Sequence, residues 1–126
     1  MSRSMISKEK LMNAVECMTG ETPDITTIYS NSRRFHDCDG TACVLITTSS
    51  TAEIAVTQQC STDKVTWYDP ETAAAAVGVV DSSITAAGTV YMSYTPVLCD
   101  YIRFKVVAAE AVSNLVSLTL AYRVEV

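Results

Sequence analysis

The sequence predicts an all-β fold: an antiparallel β-sandwich of roughly seven to nine strands, preceded by a short N-terminal helix and an extended arm. Three observations point there. Apolar and polar residues alternate with a period of two, most clearly in YIRFKVV and LVSLTLAYRVEV. Turn-forming residues separate the alternating runs at near-regular intervals. Hydrophobic residues make up 48% of the 126 and charged residues 18%, a balance suited to one domain with its own core.

The helix is predicted over residues 7–18, SKEKLMNAVECM, where good helix formers dominate. Ser7 can cap its first turn and Gly20 can end it. Leu11, Val15 and Met18 then share one face with Ala14 beside them. A helix this short must pack its stripe on something, either its own domain or a neighbouring subunit. Residues 1–34 are therefore read as helix and arm, with Met5, Leu11, Val15, Met18, Arg33 and Arg34 as candidate contact residues. Residues 35–126 are read as the β domain.

Within that domain, TACVLITT (41–48) is apolar on both faces, as in a central strand. In AEIAVTQQC (52–60), Ile54, Val56, Gln58 and Cys60 point one way, so a buried Gln58 must find a hydrogen-bond partner. Val65 and Trp67 share the core face of the next short strand, with Tyr68 turned away. The run 73–77 reads as strand or loop. Gly88 opens a strand in which Val90, Met92 and Tyr94 alternate with polar neighbours. Ile102, Phe104 and Val106 face inward, with Arg103 and Lys105 outward. Val116, Leu118, Leu120, Tyr122, Val124 and Val126 line one side of the last strand. Turns are expected at 31–32, 39–40, 49–50, 61–64, 81–82, 87–88 and 109–114.

Composition narrows the function. A net charge of −5, with Arg33-Arg34 as the basic doublet, argues against nucleic acid as partner. The N-terminal MSRSMISKEK has no signal-peptide apolar core and no apolar run has the length of a membrane span, so the expectation is a chain made in the cytoplasm with no membrane partner. The five cysteines are odd in number and irregular in spacing, which argues for free thiols. His36, Cys38 and Cys43, with Asp37 and Asp39, lack the second pair a zinc site wants. The D-C-D-G stretch at 37–40 lacks the later ligands of a calcium loop and reads as a tight turn. No metal or cofactor is expected.

Catalysis is not expected either. The single histidine, His36, has no Gly-x-Ser-x-Gly partner, and four glycines leave no room for a phosphate or dinucleotide loop. A Cys–His pair would meet in space rather than in sequence and stays open at this stage.

The stretch CSTDKVTWYD (60–69) has Asp63 placed to bond the turn backbone and Trp67 two residues after Val65. It resembles the S-x-D-G-x-x-W hairpin of discoidin-like (galactose-binding-like) jelly rolls, with Lys64 where those carry glycine. Their late A-R-Y-I-R strand is matched by Cys99, Asp100, Tyr101, Ile102, Arg103 and Phe104. The pattern is also similar to that of small β-sandwich structural proteins of tailed bacteriophages, including capsid decoration (cement) proteins. Asp63, Trp67, Tyr101, Ile102, Arg103 and Phe104 are its signature here. The resemblance implies a jelly roll and a non-enzymatic virion protein. That protein would bind the outer capsid through its arm and oligomer contacts, with the major capsid protein or other virion proteins as partners. A neck, tail or baseplate component is the near alternative. A carbohydrate-binding module using Trp67, Tyr68, Tyr91 and Tyr101 is the distant one. The chain lacks the terminal cysteine pairing common in discoidin-like lectins, a departure that weakens the distant reading.

Overall fold

A computed structural model describes residues 4–35, 38–70, 78–97 and 99–125; for residues 4, 5, 38–41, 124 and 125 it describes the backbone alone. Among the described residues the structure is all β, with nine strands and no helix. They are β1 (Ser4–Cys17), β2 (Thr27–Tyr29), β3 (Arg33–Arg34), β4 (Cys38–Thr48), β5 (Ile54–Ser61), β6 (Val79–Ile84), β7 (Gly88–Tyr94), β8 (Tyr101–Ala108) and β9 (Asn114–Glu125). One antiparallel sheet runs β1-β9-β4-β7. The other runs β2-β8-β5-β6, with β3 also on β8. Successive strands change sheet at every step except β2 to β3 and β5 to β6.

Period-two alternation builds the core as expected. Ile102, Phe104 and Val106 of β8, Val116, Leu118 and Leu120 of β9, and Val44 and Ile46 of β4 are all fully buried. Burying each such side chain stabilises the fold by about 1.5–3 kcal/mol. The two sheets meet face to face in this cluster. Tyr94 of the first packs edge-on against Phe104 of the second, ring centroids 6.1 Å apart. Phe35 packs the same way on Tyr122 at 5.3 Å.

The N-terminal helix is overturned. Residues 4–17 form β1, paired with β9 from Ser4 opposite Glu125 to Cys17 opposite Asn114. Helix propensity is worth only tenths of a kcal/mol per residue, whereas β9 presents a long row of backbone donors and acceptors that need partners. Pairing wins. The misleading helical spacing comes from two register shifts, Lys10/Met12 and Met12/Val15, with Ala14 in the left-handed region at φ 50°. The bulge turns the adjacent Leu11 and Met12 both into the core, at 2% and 3% exposure. Val15, expected on the buried stripe, is exposed.

Three smaller expectations also change. Residues 81–82, read as a turn, lie within β6, where its pairing with β5 slips and Asp81 Oδ1 accepts the Ser83 amide at 2.9 Å. Residues 39–40 lie within β4, where the pairing with β9 shifts between Cys38 and Ala42. Val65 and Trp67, expected to share the core face of a short strand, both lie in the loop after β5. Val65 is 81% exposed, and Trp67 is half-buried against Arg103 on the outward side of β8 rather than in the core. His36, Asp37, the run 73–77 and Val126 lie outside the described residues, as do the side chains of Met5, Cys38, Asp39 and Val124.

Candidate interaction face

The outward side of β8 carries Tyr101, Arg103, Lys105 and Val107, because Ile102, Phe104 and Val106 point inward. Arg103 is the centre of what assembles there. Its guanidinium carbon lies 4.0 Å from the Tyr29 ring centroid and 4.5 Å from that of Trp67, between β2 on one side and the loop after β5 on the other. Its Nε donates to Gln59 Oε1 at 2.8 Å. Gln59 Nε2 in turn donates to Asp69 Oδ1 at 3.0 Å, and Lys105 Nζ donates to Asp69 Oδ2 at 2.8 Å. The Lys105 ammonium, followed by the Gln59 amide, holds the Asp69 carboxyl below its ordinary range.

The loop carrying Trp67 is set by local hydrogen bonds. Asp63 Oδ1 accepts the Val65 amide at 2.8 Å and the Thr66 amide at 2.9 Å. Ser61 Oγ accepts the amides of Asp63 and Lys64. The two backbone bonds to Asp63, Thr66 first, hold its carboxyl below the usual value. Lys64 sits at φ 65°, the left-handed conformation that favours glycine, which accounts for the glycine in the motif it resembles. Cys60 and Tyr68 close the loop with two reciprocal backbone bonds of 2.9 Å. Lys64 Nζ caps the Tyr101 ring at 4.9 Å. The exposed apolar and aromatic residues of this face include Val65 at 81% and Tyr68 on the loop, and Tyr29 on β2.

Four of the six signature residues therefore meet. Asp63, Trp67, Tyr101 and Arg103 share this face, while Ile102 and Phe104 lie on the opposite, core side of β8. Sequence reasoning missed Tyr29, Gln59 and Asp69. The available signal was Gln59 alternating out of register with the buried Gln58.

The N-terminal candidates do not form one surface. Leu11 is a core residue, with no side chain left for a partner. Arg33 is tied to its own domain: it pairs with Glu9, donates to Ser7 Oγ at 3.2 Å and to the Tyr122 hydroxyl, and lies over the Tyr122 ring. Arg34 is exposed, Met18 is partly buried, and Met5 pairs with Val124 through the backbone. Tyr91 lies on the other sheet, beside an open groove of about 240 Å³ lined by Ile6, Cys43, Ala121 and Arg123. Among the described residues no cluster of three or more His, Cys, Asp or Glu could hold a metal ion. No described helix is long and apolar enough to cross a membrane.

No protein-family model and no curated protein matches the sequence. Solved structures do. The chain is similar to SPBc2 prophage-derived protein YomS, with a TM-score of 0.50 and 11% identity over 97% of this chain and 96% of that one. It is also similar to a chain in the structure of infectious bursal disease virus Gx strain, with a TM-score of 0.55 and 15% identity. That match covers 97% of this chain but 33% of the other, so the chain spans about a third of it. At these identities the likeness is one of fold: an all-β architecture shared with a prophage-derived protein and with a chain of a virus structure.

Proposed function

We propose that this chain is a non-enzymatic structural protein of a bacteriophage-type particle, a decoration protein that seats a jelly-roll sandwich on the outer capsid. The observation that carries the reading is the strand order. Counting β2 and β3 as one interrupted strand along β8 leaves eight strands, and the sheets run 1-8-3-6 and 2-7-4-5. That is the order of a jelly roll, an architecture used by viral capsid domains and by lectins. The prophage and virus origins of the two similar structures support the first use. Against the second, the Arg103 guanidinium already covers one face of the Trp67 ring.

The face around Arg103 supplies the capsid contact. Tyr, Trp and Arg are the residues enriched where protein interfaces carry most energy, and Val65 and Tyr68 add exposed apolar and aromatic surface on the Trp67 loop. Homo-oligomer contacts fall to β7, the outer strand of its sheet, whose sequence GTVYMSY carries no charge and no proline to guard the edge. Antiparallel self-pairing centred on Tyr91 sets Val90 opposite Met92 and Thr89 opposite Ser93. The N-terminal segment then acts as an integral strand rather than as a free arm.

Purified chain mixed with capsids built from the major capsid protein of the same genome tests the reading. Co-sedimentation should saturate at a fixed copy number per capsomer, and Tyr68→Asp should abolish it without changing the fold. Absence of binding overturns the reading, and binding confined to one vertex replaces decoration with a neck role.

A further inference from the structure

β5 ends in a polar cluster that the contact face does not use. Gln58 is fully buried, in register with Ile54 and Val56. Its Nε2 donates to the Val97 carbonyl at 2.8 Å, and its Oε1 accepts the Val97 amide at 3.3 Å. The same Nε2 lies 3.4 Å from Cys60 Sγ and 3.6 Å from Cys99 Sγ. One amide nitrogen thus touches both sulfurs, and the Cys99 thiol also donates to the Val97 and Tyr101 carbonyls at 3.6 and 3.4 Å. Cys60 pairs with Ile102 near the end of the β5–β8 ladder, Cys99 lies just before β8, and the Gln58 amide links the two sulfurs. Both cysteines are free and only partly buried, whereas Cys17 is sealed in the core.

The cluster makes the two thiols unequal. The hydrogen bond from Cys99, helped by the Gln58 amide, draws the Cys60 thiol down to about 7 against the opposing effect of burial. The same contact, together with burial, pushes Cys99 up. Cys60 is the more acidic thiol of the two, and Cys99, held by the same Gln58 amide, is the less acidic one.

We propose that Cys60 and Cys99 are a redox-active pair, oxidised to an intrachain disulfide by low-molecular-weight disulfides of the glutathione class. The Cys60 thiolate attacks one sulfur of the oxidant, forming a mixed disulfide and expelling one thiolate, which takes up a proton. Cys99 gives its proton to solvent as its sulfur attacks Cys60 Sγ, forming the Cys60–Cys99 bond and releasing the second thiolate. Two protein thiols lose two electrons, and one small disulfide is reduced to two thiols. The new bond joins the end of β5 to the entry of β8, across a stretch that includes β6 and β7.

The test is non-reducing peptide mapping of the full chain after exposure to oxidised glutathione at neutral pH. The expected product is a linked peptide pair containing Cys60 and Cys99. The unfolding midpoint should rise by about 5 °C or more and fall back on reduction with dithiothreitol. In the reduced chain Cys60 should alkylate roughly fivefold or more faster than Cys43. Cys99→Ser should stop at a stable mixed disulfide on Cys60. Links between other cysteines, a mixed disulfide persisting in the unaltered chain, or a midpoint that does not move would overturn the proposal. The peptide map needs no variant, so a misfolded Cys99→Ser leaves it decisive.

Discussion

Gln58 occupies a core position that its strand neighbours give to Ile54 and Val56, and it is tolerated because its amide meets both the N–H and the C=O of Val97. Gln58→Leu removes the partner of the Val97 amide and leaves its carbonyl only the longer Cys99 thiol contact, and should destabilise the chain by about 1–3 kcal/mol, measured by urea denaturation. Phe104, fully buried and in ring contact with Tyr94, is the opposite case. Phe104→Ala should cost about 3–5 kcal/mol in the same assay. The Asp63 and Asp69 carboxyls are held below their ordinary value of 3.8 in the folded chain. Their stabilising contribution is therefore present above about pH 4 and is lost as pH falls through the depressed folded values. Thermal melts between pH 6 and pH 2 should show that loss, and Asp63→Asn, which keeps the acceptor oxygen, should show less of it. At this scale the sequence was informative where one residue had one plausible job. A buried glutamine had to find a partner, and Asp63 had to hold a turn. It said nothing of Tyr29 or Asp69, whose roles depend on which strands β8 and β5 lie beside.

Elements were legible in proportion to the regularity of their pattern. β8 and β9 alternate strictly, and the structure buries the side expected of them wherever side chains are described. β1 was misread because two register shifts and the left-handed Ala14 break its alternation into a spacing that imitates a helix. β6 was misread for a related reason: Asp81 and Ser82 are turn formers held in a strand whose pairing with β5 slips. β1 is a structural strand that covers the β9 edge and fills the core with Leu11 and Met12. Far-UV circular dichroism should show a β spectrum without helical minima. Deleting residues 1–17 should yield an insoluble or unfolded product, whereas a separable arm would leave a folded domain in solution.

For the whole molecule, the strand order, the aromatic–arginine face on one sheet and the uncharged β7 edge of the other make a small sandwich with two distinct surfaces to offer. Tyr91→Lys places a charge at the centre of the β7 edge and should shift sedimenting oligomers to monomer while leaving the melting curve nearly unchanged. The face around Arg103 should be indifferent to that substitution, so capsid binding and self-association separate experimentally. The central claim, that the chain is a component of a virion, is tested most directly by quantitative mass spectrometry of density-purified particles made by the genome that encodes it. The chain should be present in those particles at a fixed ratio to the major capsid protein. Its absence from particles, while abundant in the lysate that made them, would contradict the account.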